Sequence, residues 1–177
     1  MRARARGAAR DNAGNGILID GSSDFTLLKD ITADNHLGNY DGVQIVGGAG
    51  GVIQNLLSTN NHWGLYISAT SVTINGAVLY NNRAAGLRQE GGTSGTWDNL
   101  QVYGNGSGIE MSGNLTITNS GVRENVGNGI DDYSGSGVLN LQSSEVYGNY
   151  NGVIIRQGQI TNSRIYANIS IGVYAPY

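Results

Sequence analysis

The sequence predicts an all-β fold in which parallel strands wind into a solenoid of about eight coils, each of roughly 22 residues. Three periodic tracks predict it. A Gly followed by an apolar-x-apolar run recurs at Gly16, Gly42, Gly64, Gly86, Gly108, Gly129, Gly152 and Gly172, at spacings of 20 to 26 residues. An Asn precedes each Gly by a short interval, at Asn12, Asn35, Asn61, Asn82, Asn105, Asn125, Asn149 and Asn168, with residues 36–41 inserted after the second. Six or seven residues before that lies a third track: Asn55, Asn75, Asn99, Asn119, Ser143 and Asn162.

Each element of the unit has a physical reason. The apolar residues alternate in short runs such as Val72-Thr73-Ile74 and Leu115-Thr116-Ile117, the period of a strand with one buried face. No helical stretch separates them. One unit is too small to bury its apolar face, whereas stacking on its neighbours makes a continuous core. Like positions then lie about 4.8 Å apart, and eight coils span about 34 Å. At the corners the chain leaves the extended region, where Asn tolerates the left-handed conformation and Gly lacks a Cβ. Stacked Asn amides hydrogen-bond along the rod as a ladder.

Composition narrows the function. The chain of 177 residues has 39% hydrophobic and 13% charged residues with one Pro, which fits a folded domain. It has no Cys, so disulfides and thiolate metal sites are excluded. No apolar run is long enough for a membrane helix. Arg2, Arg4, Arg6 and Arg10 crowd residues 1–11, a junction or partial coil; residues 12–177 form one solenoid domain. Without those four arginines the chain keeps six basic residues against 13 acidic ones. That balance disfavours nucleic acid as a partner.

The pattern apolar-Tyr-x-Asn then Gly-Ile/Val-x-Ile, as in Val146-Tyr147-Gly148-Asn149 before Gly152-Val153-Ile154-Ile155, resembles the repeats of right-handed parallel β-helices. Pectate lyases, polygalacturonases, mannuronan C5-epimerases and phage tailspikes share them. The resemblance covers Asn12 to Ala175. It implies a carbohydrate-directed domain acting outside the cell or at its surface, on an acidic polysaccharide, with uronate β-elimination or epimerisation as the chemistry. The residue after each corner apolar position points outward, giving Gln44, Tyr66, Arg88, Glu110 and Asp131 as a polar stripe for substrate. By the resemblance, Arg88 neutralises a uronate or steadies its enolate, and Tyr66 moves the proton. Asp132, at an apolar slot, joins them as a catalytic candidate, and Gln89 breaks the same apolar rule. Glu110, Asp131 and Asp132 supply oxygens of the kind Ca2+ takes.

"YDGVQIVGGAGGVIQNLLSTNNHWGLYI" is similar to the stretch of the epimerase catalytic module with a His before a corner Gly, here His62. Where that family has Asp-Pro-His-Glu, this chain has Ile19-Asp20-Gly21-Ser22. His36 stands in the insertion with Asp34 and Asp41 and matches no metal-ligand spacing. A second outward stripe runs Tyr80, Tyr103, Arg123, Tyr147 and Tyr166, either a sugar platform or rings stacked on one another. The walls available to the polar stripe are short, residues 36–41 and 90–96. Neither end carries a polar cap, which predicts further coils of a longer chain or end-to-end self-association. The reading from another class is a non-catalytic rod: an adhesin, tail fibre or filament subunit.

Overall fold

The computed structural model describes residues 3–21, 25–48, 50–68, 71–91 and 94–176. Arg2, Ser22 and residues 92–93 of the second wall lie outside those ranges. Among the described residues all regular structure is strand, and every paired strand runs parallel. One stack contains Ala3–Arg10, Phe25–Asp34, Gly51–Thr59, Ser71–Tyr80, Ser94–Tyr103, Asn114–Thr118, Val138–Gln142 and Gln157–Thr161. The facing stack contains Ile17–Ile19, Val43–Val46, Trp63–Ser68, Ala85–Gln89, Ser107–Met111, Ile130–Asp132, Val153–Ile154 and Val173–Tyr174. One strand of each stack per coil makes a β-solenoid of about seven turns. The basic segment therefore belongs to the solenoid: Ala3–Arg10 pairs with Phe25–Asp34.

Two rows of left-handed residues set the corners. The first bends the long strands at Asp30, Asn55, Gly76 and Asn99. In later coils the same bend, at Asn119, Ser143 and Asn162, frees a short third face of Gly121–Arg123, Glu145–Tyr147 and Arg164–Tyr166. In the fourth coil this corner is Gly76 and not Asn75, which stays extended and pairs with Gln54 and Asp98. The second row is Asp11, Asn35, Asn60, Asn81, Gly104, Glu124, Gly148 and Ala167, with φ from 51° to 68°.

That row corrects the expected cause of the Asn track. The third track keeps the expected left-handed asparagines at Asn55, Asn99, Asn119 and Asn162. In the track before the corner glycines, only Asn35 is left-handed, and each of the others follows a residue that is. The left-handed turn swings the next side chain under the corner, where Asn61, Asn82, Asn105, Asn125 and Asn149 are at most 3% exposed. There they form the ladder. Each backbone N–H from Asn61 to Asn149 donates to the Oδ1 of the next asparagine at 2.9–3.1 Å, ending on Asn168. Each Nδ2 reaches back to a main-chain carbonyl of the preceding coil, as Asn105 does to Leu79 at 3.0 Å. Buried amide groups are thereby satisfied, which is what keeps a polar row inside an apolar rod tolerable.

The ladder does not pass through Asn35. Its rung is occupied by His36, whose N–H donates to Asn61 Oδ1 and whose Nδ1 accepts from the Asn12 N–H. Asn35 is the left-handed residue before it and donates to the Asp11 carboxylate on the solvent side. Corner glycines serve close approach: a Cβ on Gly64 would lie 2.6 Å from the Gly86 carbonyl and 2.7 Å from Asn82 Nδ2.

The core is built of like-on-like files. Leu28, Ile53, Ile74, Trp97, Ile117 and Leu141 stack in register, all at most 2% exposed. Val43, Leu65, Leu87, Ile109, Ile130 and Val153 face them. Each such side chain contributes about 1.5–3 kcal/mol by leaving water. The first coil offers less: Ala5, Ile17 and Ile19 are only partly buried against the cluster.

Candidate functional site

The strands after the corner glycines hold Leu18, Gln44, Tyr66, Arg88, Glu110, Asp131, Ile154 and Tyr174 in direct register. Strict stacking follows from the parallel pairing, because a side chain on one coil has its neighbours one strand spacing above and below. Arg88 is the centre of the stripe. Its Nε donates to Glu90 Oε1 at 2.7 Å, Nη2 lies 2.7 Å from the same oxygen, and Nη1 donates to Glu110 Oε2 at 2.7 Å. The guanidinium lies 4.4 Å from the ring centre of Tyr133 and 5.3 Å from that of Trp63. Trp63 in turn stacks on Tyr66 at 5.1 Å and meets the His62 ring at 4.4 Å. Tyr66 donates its hydroxyl to Glu90 Oε2 at 2.7 Å.

These contacts shift the titration of Arg88, Glu90 and Tyr66. Burial pulls Arg88 down, but its bonds to Glu90 and Glu110 outweigh that and leave it raised. The Tyr66 hydrogen bond, with Arg88 behind it, holds Glu90 below the usual carboxylate range. Burial and the Glu90 carboxylate push the Tyr66 hydroxyl up to about 12. A phenol with that affinity for its proton is neither an effective base nor an effective acid near neutral pH. Burial raises Asp131, Glu110 and Asp132 add to it, and the Asn128 amide, bonded at 2.7 Å, opposes it.

The other expected residues are placed differently. Gln44 lies one coil beyond Tyr66 and takes a hydrogen bond from Asn15. Asp132 points to the opposite face of its strand from Asp131 and is 6% exposed. Its oxygens accept from the Gly135 N–H at 3.1 Å, the Ser134 hydroxyl at 2.9 Å and the Gly137 N–H at 3.1 Å. It therefore ties its own turn and does not reach the stripe. Glu110 is engaged by Arg88, so the three oxygens expected to share Ca2+ do not converge. Among the described residues no three His, Cys, Asp or Glu side chains gather as a metal site. Gln89 caps a turn in the same manner, its Oε1 accepting from the Ser112 and Gly113 N–H groups. His62 places Nδ1 3.6 Å from Asp41 Oδ1, a carboxylate whose pKa burial raises against the opposing Trp63 N–H and His62.

The tyrosine stripe resolves toward stacking. Tyr80 and Tyr103 lie 5.2 Å apart at 10°, and Tyr147 and Tyr166 lie 4.9 Å apart at 14°. Arg123 sits 4.3 Å over Tyr103 and donates to Gln101. The rings stand like pages along the rod with faces turned to one another, so those faces offer no platform to a sugar. Beside them Gly121 interrupts the outward row, and a shallow groove of about 580 Å3 runs past Gln101, Arg123, Glu145 and Tyr147.

A solenoid whose outward faces carry aromatic rings and charge pairs is the class of molecule these features define. The chain belongs to the right-handed beta helix family, described as "Right handed beta helix region", whose sequence model matches residues 15–170. Among curated proteins none matches the chain.

Proposed function

We propose that this domain binds glycans along the Arg88 stripe, as a recognition surface of an extracellular or cell-surface protein. The observation carrying the proposal is the clamp around Arg88: Trp63 and Tyr133 rings at 5.3 Å and 4.4 Å, with Glu90, Glu110 and Asp131 beside them. Aromatic rings take the C–H faces of sugars, and carboxylates accept strong hydrogen bonds from sugar hydroxyls. One guanidinium stands among three carboxylates, and three of its five N–H groups are already bonded. That balance favours a neutral, hydroxyl-rich glycan over the uronate that the family resemblance implied. With Tyr66 held protonated and Asp132 turned inward, the stripe supports binding better than elimination or epimerisation.

Tryptophan emission tests the proposal directly. The chain has two Trp, and Trp97 is 1% exposed, so a ligand-dependent change reports Trp63. Neutral oligosaccharides such as cello- and xylo-oligomers are expected to shift it, more weakly in Tyr133→Ala and Arg88→Ala, while galacturonate and mannuronate oligomers are not. Silence with every glycan leaves the second reading, a non-catalytic rod. The pairing of Arg88 with both Glu90 and Glu110 favours that alternative, since a clamp joining the coils of Trp63, Arg88, Glu110 and Tyr133 stiffens a rod without any ligand.

A further inference from the structure

His36 is the one rung of the buried ladder that can change charge near neutral pH. We propose that His36 makes the seating of the first described coil, residues 3–21, on the rest of the rod sensitive to acid. The geometry allows this only at that rung. Every ladder rung presents a side-chain acceptor to the N–H of the coil before it, and amides do so at any physiological pH. At the second coil the acceptor is an imidazole nitrogen, Nδ1, 3.3 Å from the Asn12 N–H. His36 is 1% exposed, and its Nε2 makes no hydrogen bond of ordinary geometry, the Ala9 backbone lying near enough to the ring only to favour its charged form. The amides of the later rungs, by contrast, reach carbonyls at 3.0–3.3 Å. The ring occupies space over Gly16, where a Cβ would come within 2.3 Å of Nε2.

Protonation would turn Nδ1 from acceptor into donor. The Asn12 N–H would lose its partner, and an imidazolium would stand buried between two coils. The charged groups around it are Asp34 on its own coil, Asp11 on the preceding coil, Asp41 at the far end of residues 36–41, and Arg83, a cation that lines the same cavity. Asp11 and Asp34 are partly satisfied by the Asn35 and Asn60 amides, and Asp41 is buried against the Trp63 N–H and His62. Burial lowers the His36 pKa from 6.5, outweighing Asp34, the Ala9 and Asn12 backbones and Asp11, all of which favour the imidazolium. The sign follows. A histidine held neutral in the fold contributes fully above its unfolded value and loses that contribution as pH falls below it. Beyond the strand pairing of Ala3–Arg10 and Ile17–Ile19, the first coil adds only a thin apolar core, so opening stays local.

Amide hydrogen exchange on the intact chain, corrected for intrinsic rates, tests this across about pH 5 to 8. Protection over residues 5–20 is expected to fall by up to about tenfold per pH unit below about 6.5, while Ser94–Tyr103 holds steady. His36→Asn is expected to abolish the pH dependence, and His62→Asn is expected to keep it. The proposal is overturned if wild type and His36→Asn share one pH profile. If His36→Asn does not fold, His62→Asn leaves His36 as the single imidazole in the chain. Its NMR titration then decides: a midpoint below 6.5 supports the proposal, and one at or above 6.5 overturns it.

Discussion

Replacing Asn105 by Ala isolates the contribution of the ladder. Its Oδ1 accepts from Asn82 N–H at 2.9 Å and Asn82 Nδ2 at 3.0 Å, and its Nδ2 donates to Leu79 O and Asn125 Oδ1, both at 3.0 Å. All four bonds are buried. Alanine leaves the Asn82 N–H without an acceptor, at a cost of about 1–3 kcal/mol, and removes net bonds of about 1 kcal/mol each elsewhere. Some partners keep a second bond: Asn82 Nδ2 still reaches Ser58 O at 3.2 Å. The sum is about 3–5 kcal/mol, a large share of the 5–15 kcal/mol that a domain normally has. Asn168→Ala makes the comparison, because that rung is only half-buried and water can replace its bonds; about 1 kcal/mol is expected there. Urea unfolding monitored by circular dichroism, with the slope checked for constancy, measures both. Equal losses at the two rungs, or less than about 1 kcal/mol at Asn105, would refute the view that the ladder is a structural spine.

Three further outcomes follow from named contacts. Asp132→Ala removes the acceptor of two backbone N–H groups and one hydroxyl, and should lower stability by about 2–3 kcal/mol, read by urea midpoint. Gly64→Ala places a Cβ against the Gly86 carbonyl and Asn82, and should destabilise by roughly 1–3 kcal/mol in the same assay. Glu90→Gln should drop the Tyr66 midpoint from about 12 toward 10.0, seen as the ultraviolet titration difference against Tyr66→Phe. Because that group is raised, its contribution to stability is complete below pH 10.0 and declines as pH climbs from there toward about 12.

Periodicity made most of the fold legible. Like positions such as Tyr66, Arg88, Glu110 and Asp131 stack because parallel coils of nearly equal length leave no other register. What misled was residue identity. Tracking the letter Asn placed Asn35 in the ladder, when the rung requires an acceptor at one offset and a left-handed residue at the previous one. His36 satisfies the first and Asn35 the second. The αL positions themselves accept Gly, Glu, Ser and Ala as well as Asn, so composition alone marks them poorly. At the site, Glu90, Trp63 and Tyr133 were not foreseen as partners of Arg88. Glu90 follows the last residue of its strand and Tyr133 lies in the turn after Ile130–Asp132, where two-residue alternation stops predicting direction. The outward face of Trp63 precedes the first tracked apolar position of its coil.

Because every ladder contact runs only to the coil above or below, the rod carries its length as a number of links and not as a shape. Cutting out residues 82–104 would bring the Asn61 N–H opposite Asn105 with the same chemistry it now has with Asn82, and the chain would close up one link shorter. That link contains Arg88 and Glu90, so a shortened yet folded molecule would lose the clamp while keeping the spine.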